Sequence, residues 1–182
     1  LTGSYYGRVY EKVNSTNGKT STIYGTAITD TQVLRVKMTP INKGGNTSLN
    51  GISVQSGNKS AQFYVQASNS NARLMFDHKW GGFSVASWIK TPFFTNEGVS
   101  NITAVVKEHT LYIFYNDVLA NSVDLYKVLP GYQEANGVQL GVCSYDAKNG
   151  LVLYSDIDYA KGADSIQGIT LNDQHEWEIF TD

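Results

Sequence analysis

Apolar and polar side chains alternate with a period of two along much of this chain, and no helical period persists anywhere in it. In 33–38, Leu34, Val36 and Met38 fall on one face while Val33, Arg35 and Lys37 fall on the other, the pattern of a strand with one buried side. Comparable runs, rich in β-branched and aromatic residues, predict strands over 5–13, 20–29, 33–38, 51–55, 61–66, 73–76 and 83–89. More follow over 102–107, 111–115, 122–126, 138–145, 151–158, 165–171 and 176–180. Between them lie turn-forming clusters such as Asn14-Ser15-Thr16-Asn17-Gly18 and Ser68-Asn69-Ser70-Asn71. Pro40 is expected to end the third strand, because proline has no N–H to give a ladder, and 41–50 is expected to be a loop. Many short strands with no linker among them predict one all-β domain over 1–182, a two-sheet antiparallel sandwich.

Composition agrees with this. Of 182 residues only 16% are charged, against about 25% in an ordinary globular domain, and tyrosine, with 12 copies, exceeds phenylalanine and tryptophan. Tyrosine suits strand surfaces, where its ring packs and its hydroxyl reaches water or a polar ligand. A net charge of -2 with scattered Lys and Arg gives nucleic acid no basic patch to bind. No apolar run is long enough for a membrane span, and Leu1-Thr2-Gly3-Ser4 carries no signal-peptide pattern. The single Cys143 excludes an internal disulfide and a cysteine-based metal site, and its place in an apolar alternating run predicts a buried, inert thiol.

The run Asn101-Ile102-Thr103-Ala104-Val105-Val106-Lys107-Glu108-His109-Thr110-Leu111-Tyr112-Ile113-Phe114-Tyr115-Asn116-Asp117-Val118-Leu119 resembles the central hairpins of the concanavalin A-like lectin and glucanase superfamily, including laminin G-like modules. Asn116-Asp117 occupies the tight-turn position, since both residue types enter left-handed backbone conformations readily. Gly137-Val138-Gln139-Leu140-Gly141-Val142 and Leu151-Val152-Leu153-Tyr154-Ser155-Asp156-Ile157 are similar to the closing strands of that superfamily. The resemblance implies a jelly roll, extracellular or cell-surface location, and an oligosaccharide or polysaccharide partner. It also implies a structural calcium ion, for which the spacing here identifies no ligands.

Candidate chemistry is sparse. The glucanases of that superfamily carry a Glu-x-Asp-x-x-Glu strand motif, which this chain lacks. Asp156 with Asp158, and Glu176 with Glu178, are its two same-face carboxylate pairs, and no catalytic residue is assigned. His78, His109 and His175 stand far apart, which leaves no recognisable nucleophilic triad. A sugar site needs an aromatic plane for the apolar face of a pyranose, beside fixed groups that meet its hydroxyls. Trp80, in a polar loop with Asp77 and His78, answers that description, followed by Trp88, Tyr132 and Tyr145. The sequence therefore favours a non-catalytic carbohydrate-binding, lectin-like module of a secreted or surface-attached multimodular protein. A protein-binding adhesion module and a small glycoside hydrolase or lyase stand as alternatives.

Overall fold

A computed structural model describes residues 5–9, 19–43, 48–67, 72–76, 87–90, 99–145, 150–171 and 178–181. Among them, strands β1 (Tyr5–Val9), β2 (Lys19–Ile28), β3 (Gln32–Lys43), β4 (Ser48–Ser56), β5 (Lys59–Ala67) and β6 (Ala72–Phe76) come first. They are followed by β7 (Ser87–Lys90), β8 (Ser100–Lys107), β9 (Thr110–Tyr115), β10 (Val118–Asp124), β11 (Val138–Tyr145), β12 (Gly150–Lys161) and β13 (Glu178–Thr181). One sheet has the order β1-β12-β3-β8-β9-β10 and the other β13-β7-β6-β5-β4-β11-β2. The pairings in both are antiparallel, as in β3 with β8 and β4 with β5.

The alternation in β3 does what its sequence implies. Leu34, Val36 and Met38 enter a core shared with Ile102, Ile113 and Tyr115 of the same sheet and with Ile52, Phe63, Leu140 and Val142 of the other. Polar ties cross this core. The Tyr154 hydroxyl donates to the Cys143 carbonyl at 2.8 Å, joining β12 to β11. The Gln32 amide donates to the Val138 carbonyl at 3.1 Å and accepts from the Tyr159 hydroxyl at 3.1 Å. Each tie joins opposite sheets or satisfies a group that does, so the ties fix how the sheets sit on one another.

Four local expectations change, the first being that 41–50 is not a loop throughout, since β3 runs on to Lys43 and β4 starts at Ser48. Pro40 lies inside β3 rather than ending it. Among the described residues Met38 is the last of β3 paired with β8, so Pro40 has a described neighbour on the β12 side, and there it sits at a shift in register between Leu151 and Val152. An edge and a bulge are the places where a missing N–H costs least. The run 122–126 is not one strand: β10 stops at Asp124, whose carboxylate accepts from the Tyr126 N–H at 3.0 Å and starts a single helical turn, α1 (Leu125–Val128). The stretch 165–171 is not a strand either. A 3-10 turn over Ala163–Ile166 follows Gly162 at φ 101°, and Gly168 turns again at φ 85°.

That last segment explains why β8 is buried on both faces. Ile166, Ile169 and Leu171 pack on Val33, Val105, Phe114 and Leu119, forming a small second core on the outer side of the six-stranded sheet. Strict alternation applies only where one face meets water. At the β9–β10 turn Asn116 and Asp117 take φ of 49° and 66°, the left-handed pair that their sequence predicts.

Candidate functional site

The seven-stranded sheet has one apolar face and one unlike it. Ala61 and Phe63 face the core, as do Ile52, Val54, Leu140 and Val142. The intervening positions Gly51, Ser53, Gln62, Gly141 and Cys143 therefore lie on the outer side. They are nevertheless buried: Ser53 and Gln62 are each 1% exposed, and the free thiol of Cys143 is fully buried, as its sequence context implies. This part of the outer face is a sheltered floor.

Register extends that floor into rows. Cys143, Gly51, Tyr64, Met75, Trp88 and Phe180 stand opposite one another in turn across β11, β4, β5, β6, β7 and β13. Two residues along, Tyr145, Leu49, Gln66 and Arg73 form the next row. Trp88 and Tyr145, both expected to meet ligand, thus occupy positions on one face. With neighbouring strands about 4.8 Å apart, the four steps from β7 to β11 separate them by roughly 19 Å across the sheet. That is a span for an extended chain, not for one ring. Trp80, Asp77 and His78 lie outside the described residues.

Tyr132 is elsewhere. It is 6% exposed, belongs to the main core, and meets the Tyr126 ring edge-on at 5.1 Å. Burial, then the neighbouring Glu134 carboxylate, raises its phenol above the ordinary tyrosine range.

Sequence reasoning passed over Gln62, and the structure makes it notable. Its amide nitrogen lies 3.4 Å from the Ser53 hydroxyl, a long contact, and its Oε1 is buried with no hydrogen-bond partner among the described residues. The signal was present in Gln62-Phe63-Tyr64-Val65-Gln66, where the polar positions carry amides and a phenol rather than the charges of an ordinary solvated face.

The carboxylates sit in different places. Asp156, at φ 52°, is the extra residue of a bulge in β12, and its carboxylate pairs with the Lys37 ammonium at 3.5 Å. Asp158 stands opposite Arg35, which itself pairs with Asp117 at 3.0 Å. This group lies on the outer side of the six-stranded sheet, across the sandwich from Gln62. Glu178 stands opposite Lys90 in β13, while Glu176 is outside the described residues. Among the described residues no three His, Cys, Asp or Glu side chains gather to hold a metal ion, so they supply no ligand set for calcium.

No protein-family model and no curated protein sequence matches the chain. Solved structures do match. Lectin II from Ulex europaeus superposes with a TM-score of 0.56 at 11% identity, over 86% of this chain and 87% of that one. The fold is a concanavalin A-like jelly roll. Alginate lyase A1-II', a member of polysaccharide lyase family 7, shares this jelly roll with a TM-score of 0.54 at 9% identity, over 87% of this chain and 79% of that one. The GH43 protein BlXynB from Bacillus licheniformis shares it with a TM-score of 0.56 at 11% identity. There the match covers 72% of this chain but only 28% of the longer protein. Identities this low speak to the jelly roll and not to its activity. No helix among the described residues is long and apolar enough to cross a membrane.

Proposed function

We propose that this jelly roll is a non-catalytic carbohydrate-binding module of a secreted or surface-attached protein, and that it holds an extended glycan along the outer face of its seven-stranded sheet. The observation that carries this reading is the buried, unpartnered Oε1 of Gln62 on a floor whose rows also hold Tyr64, Trp88 and Tyr145. An unpaired buried amide oxygen costs stability, and a ligand hydroxyl donating to it would recover that cost on binding. Aromatic residues in neighbouring rows supply the apolar complement that sugar rings need. A lectin, a polysaccharide lyase and a GH43 protein share this jelly roll, which is in keeping with a glycan partner.

Affinity electrophoresis against plant, host and microbial polysaccharides tests the proposal. Retardation by at least one glycan, lost in Trp88→Ala and Trp80→Ala proteins that keep the parent melting temperature, is the expected result. A blank panel removes it. Release of product from a retarding glycan, abolished in Asp156→Asn, Asp158→Asn, Glu176→Gln or Glu178→Gln proteins, replaces the module with an enzyme.

A further inference from the structure

A second recess lies at a different place, between the end of β2, the β8–β9 hairpin and the segment that leads into β11. Its volume is about 270 Å³. Ile28, Val106 and Val138 make an apolar floor, Tyr132 forms a wall, and Glu108 and Glu134 supply carboxylates. Among the described residues no basic side chain lines it.

The surroundings are rigid. Gly137, at φ 69°, lets the backbone pass so close to Ile28 that a Cβ there would lie 2.7 Å from the Ile28 carbonyl. The Ser56 hydroxyl donates to the Gly137 carbonyl at 2.7 Å, and the Gln32 amide holds the Val138 carbonyl. Beside the recess, the turn α1 is tied down at its start. The Leu125 N–H donates to the His109 carbonyl at 2.8 Å, and the Asp124 carboxylate meets both the Tyr126 N–H and His109 Nδ1, the latter at 3.2 Å.

One large side chain is fixed yet open. Tyr126 is 48% exposed, although its ring is held between Tyr132 at 5.1 Å and His109 at 5.4 Å, and burial, then the neighbouring Glu134 carboxylate, raises its phenol above the ordinary tyrosine range. An aromatic plane held still in water loses little entropy when a ligand stacks on it. Lys59, which approaches Gly131, Lys107, next to Glu108, and Lys127, in the last turn of α1, are nearby in space or in sequence, and none is among the described residues that line the recess.

A small apolar floor, a tyrosine wall and two carboxylates with no cation among the described lining residues match a positively charged group on a compact body. The recess is slightly smaller than the roughly 300 Å³ at which drug-sized pockets begin, a size for one ring rather than several. The exposed face of Tyr126 provides a place for a neighbouring ring to stack. We infer that this recess is a second glycan site, selective for a protonated amino sugar, with the ammonium held by Glu134 and Glu108 and an adjacent ring on Tyr126. It stands on other residues than the outer-face site, and either can fail without the other.

Calorimetric titration at pH 6 with an oligomer of glucosamine, and with its fully N-acetylated counterpart, tests this. The amine oligomer is expected to bind about tenfold or more tightly than the acetylated one, and less tightly as salt rises. Glu134→Gln, Glu108→Gln and Tyr126→Ala should each weaken it by about tenfold. All three residues are exposed, so thermal unfolding should stay at the parent value. Equal affinity for the two oligomers, absence of binding, or indifference to the three substitutions would overturn the inference. A lysine-containing peptide that binds as tightly as the amine oligomer would overturn its assignment to a sugar.

Discussion

Replacing Gln62 by methionine separates what this residue does for the fold from what it does for a ligand. Gln62 is 1% exposed, its Oε1 has no partner among the described residues, and its amide contact to Ser53 is 3.4 Å long. A buried acceptor left unmade costs about 1–3 kcal/mol, whereas a hydrogen bond this long returns at most about 0.5–1 kcal/mol. Methionine has nearly the same length and an adaptable, unbranched chain, and it removes the unpaired oxygen without opening a cavity. The balance is a gain of about 1 kcal/mol. For a domain of this size that raises the melting temperature by about 2–4 °C. Urea denaturation followed by circular dichroism measures it, with the denaturant slope expected to stay constant. In the same protein, binding to the retarding polysaccharide should fall about tenfold, because the ligand loses the acceptor that the fold left unpaired. A loss of stability of 1 kcal/mol or more would refute the reasoning, since it would mean that the amide is satisfied in the folded protein. Gained stability with unaltered binding would place Gln62 outside the site.

The other predictions concern the frame. Gly137→Ala should destabilise by about 3 kcal/mol or more, because a φ of 69° is compounded by a Cβ driven into the Ile28 backbone. Gly57→Ala, at φ 60° with open space around it, should cost only about 1–2 kcal/mol by the same denaturation measurement. Tyr154→Phe deletes the 2.8 Å bond between the sheets and leaves the Cys143 carbonyl short of a donor, a loss of about 1–2 kcal/mol. Replacing Ile166 and Ile169 by serine should strip cover from Val105 and Phe114. That change should cost about 2–4 kcal/mol and raise binding of a hydrophobic dye, with glycan affinity unaltered. If the calcium ion implied by the family resemblance is present, a chelator lowers the melting temperature and added calcium restores it; an unchanged melting curve removes the ion.

The fold was legible wherever one face of a strand is buried and the other wet. Leu34, Val36 and Met38 announced their side of the sheet, and Asn116-Asp117 announced a hairpin. Legibility failed where a distant contact overrode the local pattern. Pro40 could join β3 because its described ladder partner is β12 at a shift in register, a fact about a strand more than a hundred residues away in sequence. Apolar residues at 166, 169 and 171 looked like strand positions, but they serve as a cover over Val105 and Phe114. The site was less legible than the fold. Trp88 and Tyr145 could be picked out as aromatics, but only register places them on one face. Gln62 looked like an ordinary polar strand residue until its burial was known, because a missing partner leaves no trace in sequence.

The most direct test of the central claim is affinity electrophoresis of the parent protein beside Trp88→Ala and Glu134→Gln on one panel of polysaccharides. Under the account given, at least one neutral or acidic glycan retards the parent and Glu134→Gln alike and fails to retard Trp88→Ala, with all three proteins equally folded by circular dichroism. Equal retardation of the parent and Trp88→Ala, or retardation by no glycan, would contradict binding on the outer face of the seven-stranded sheet.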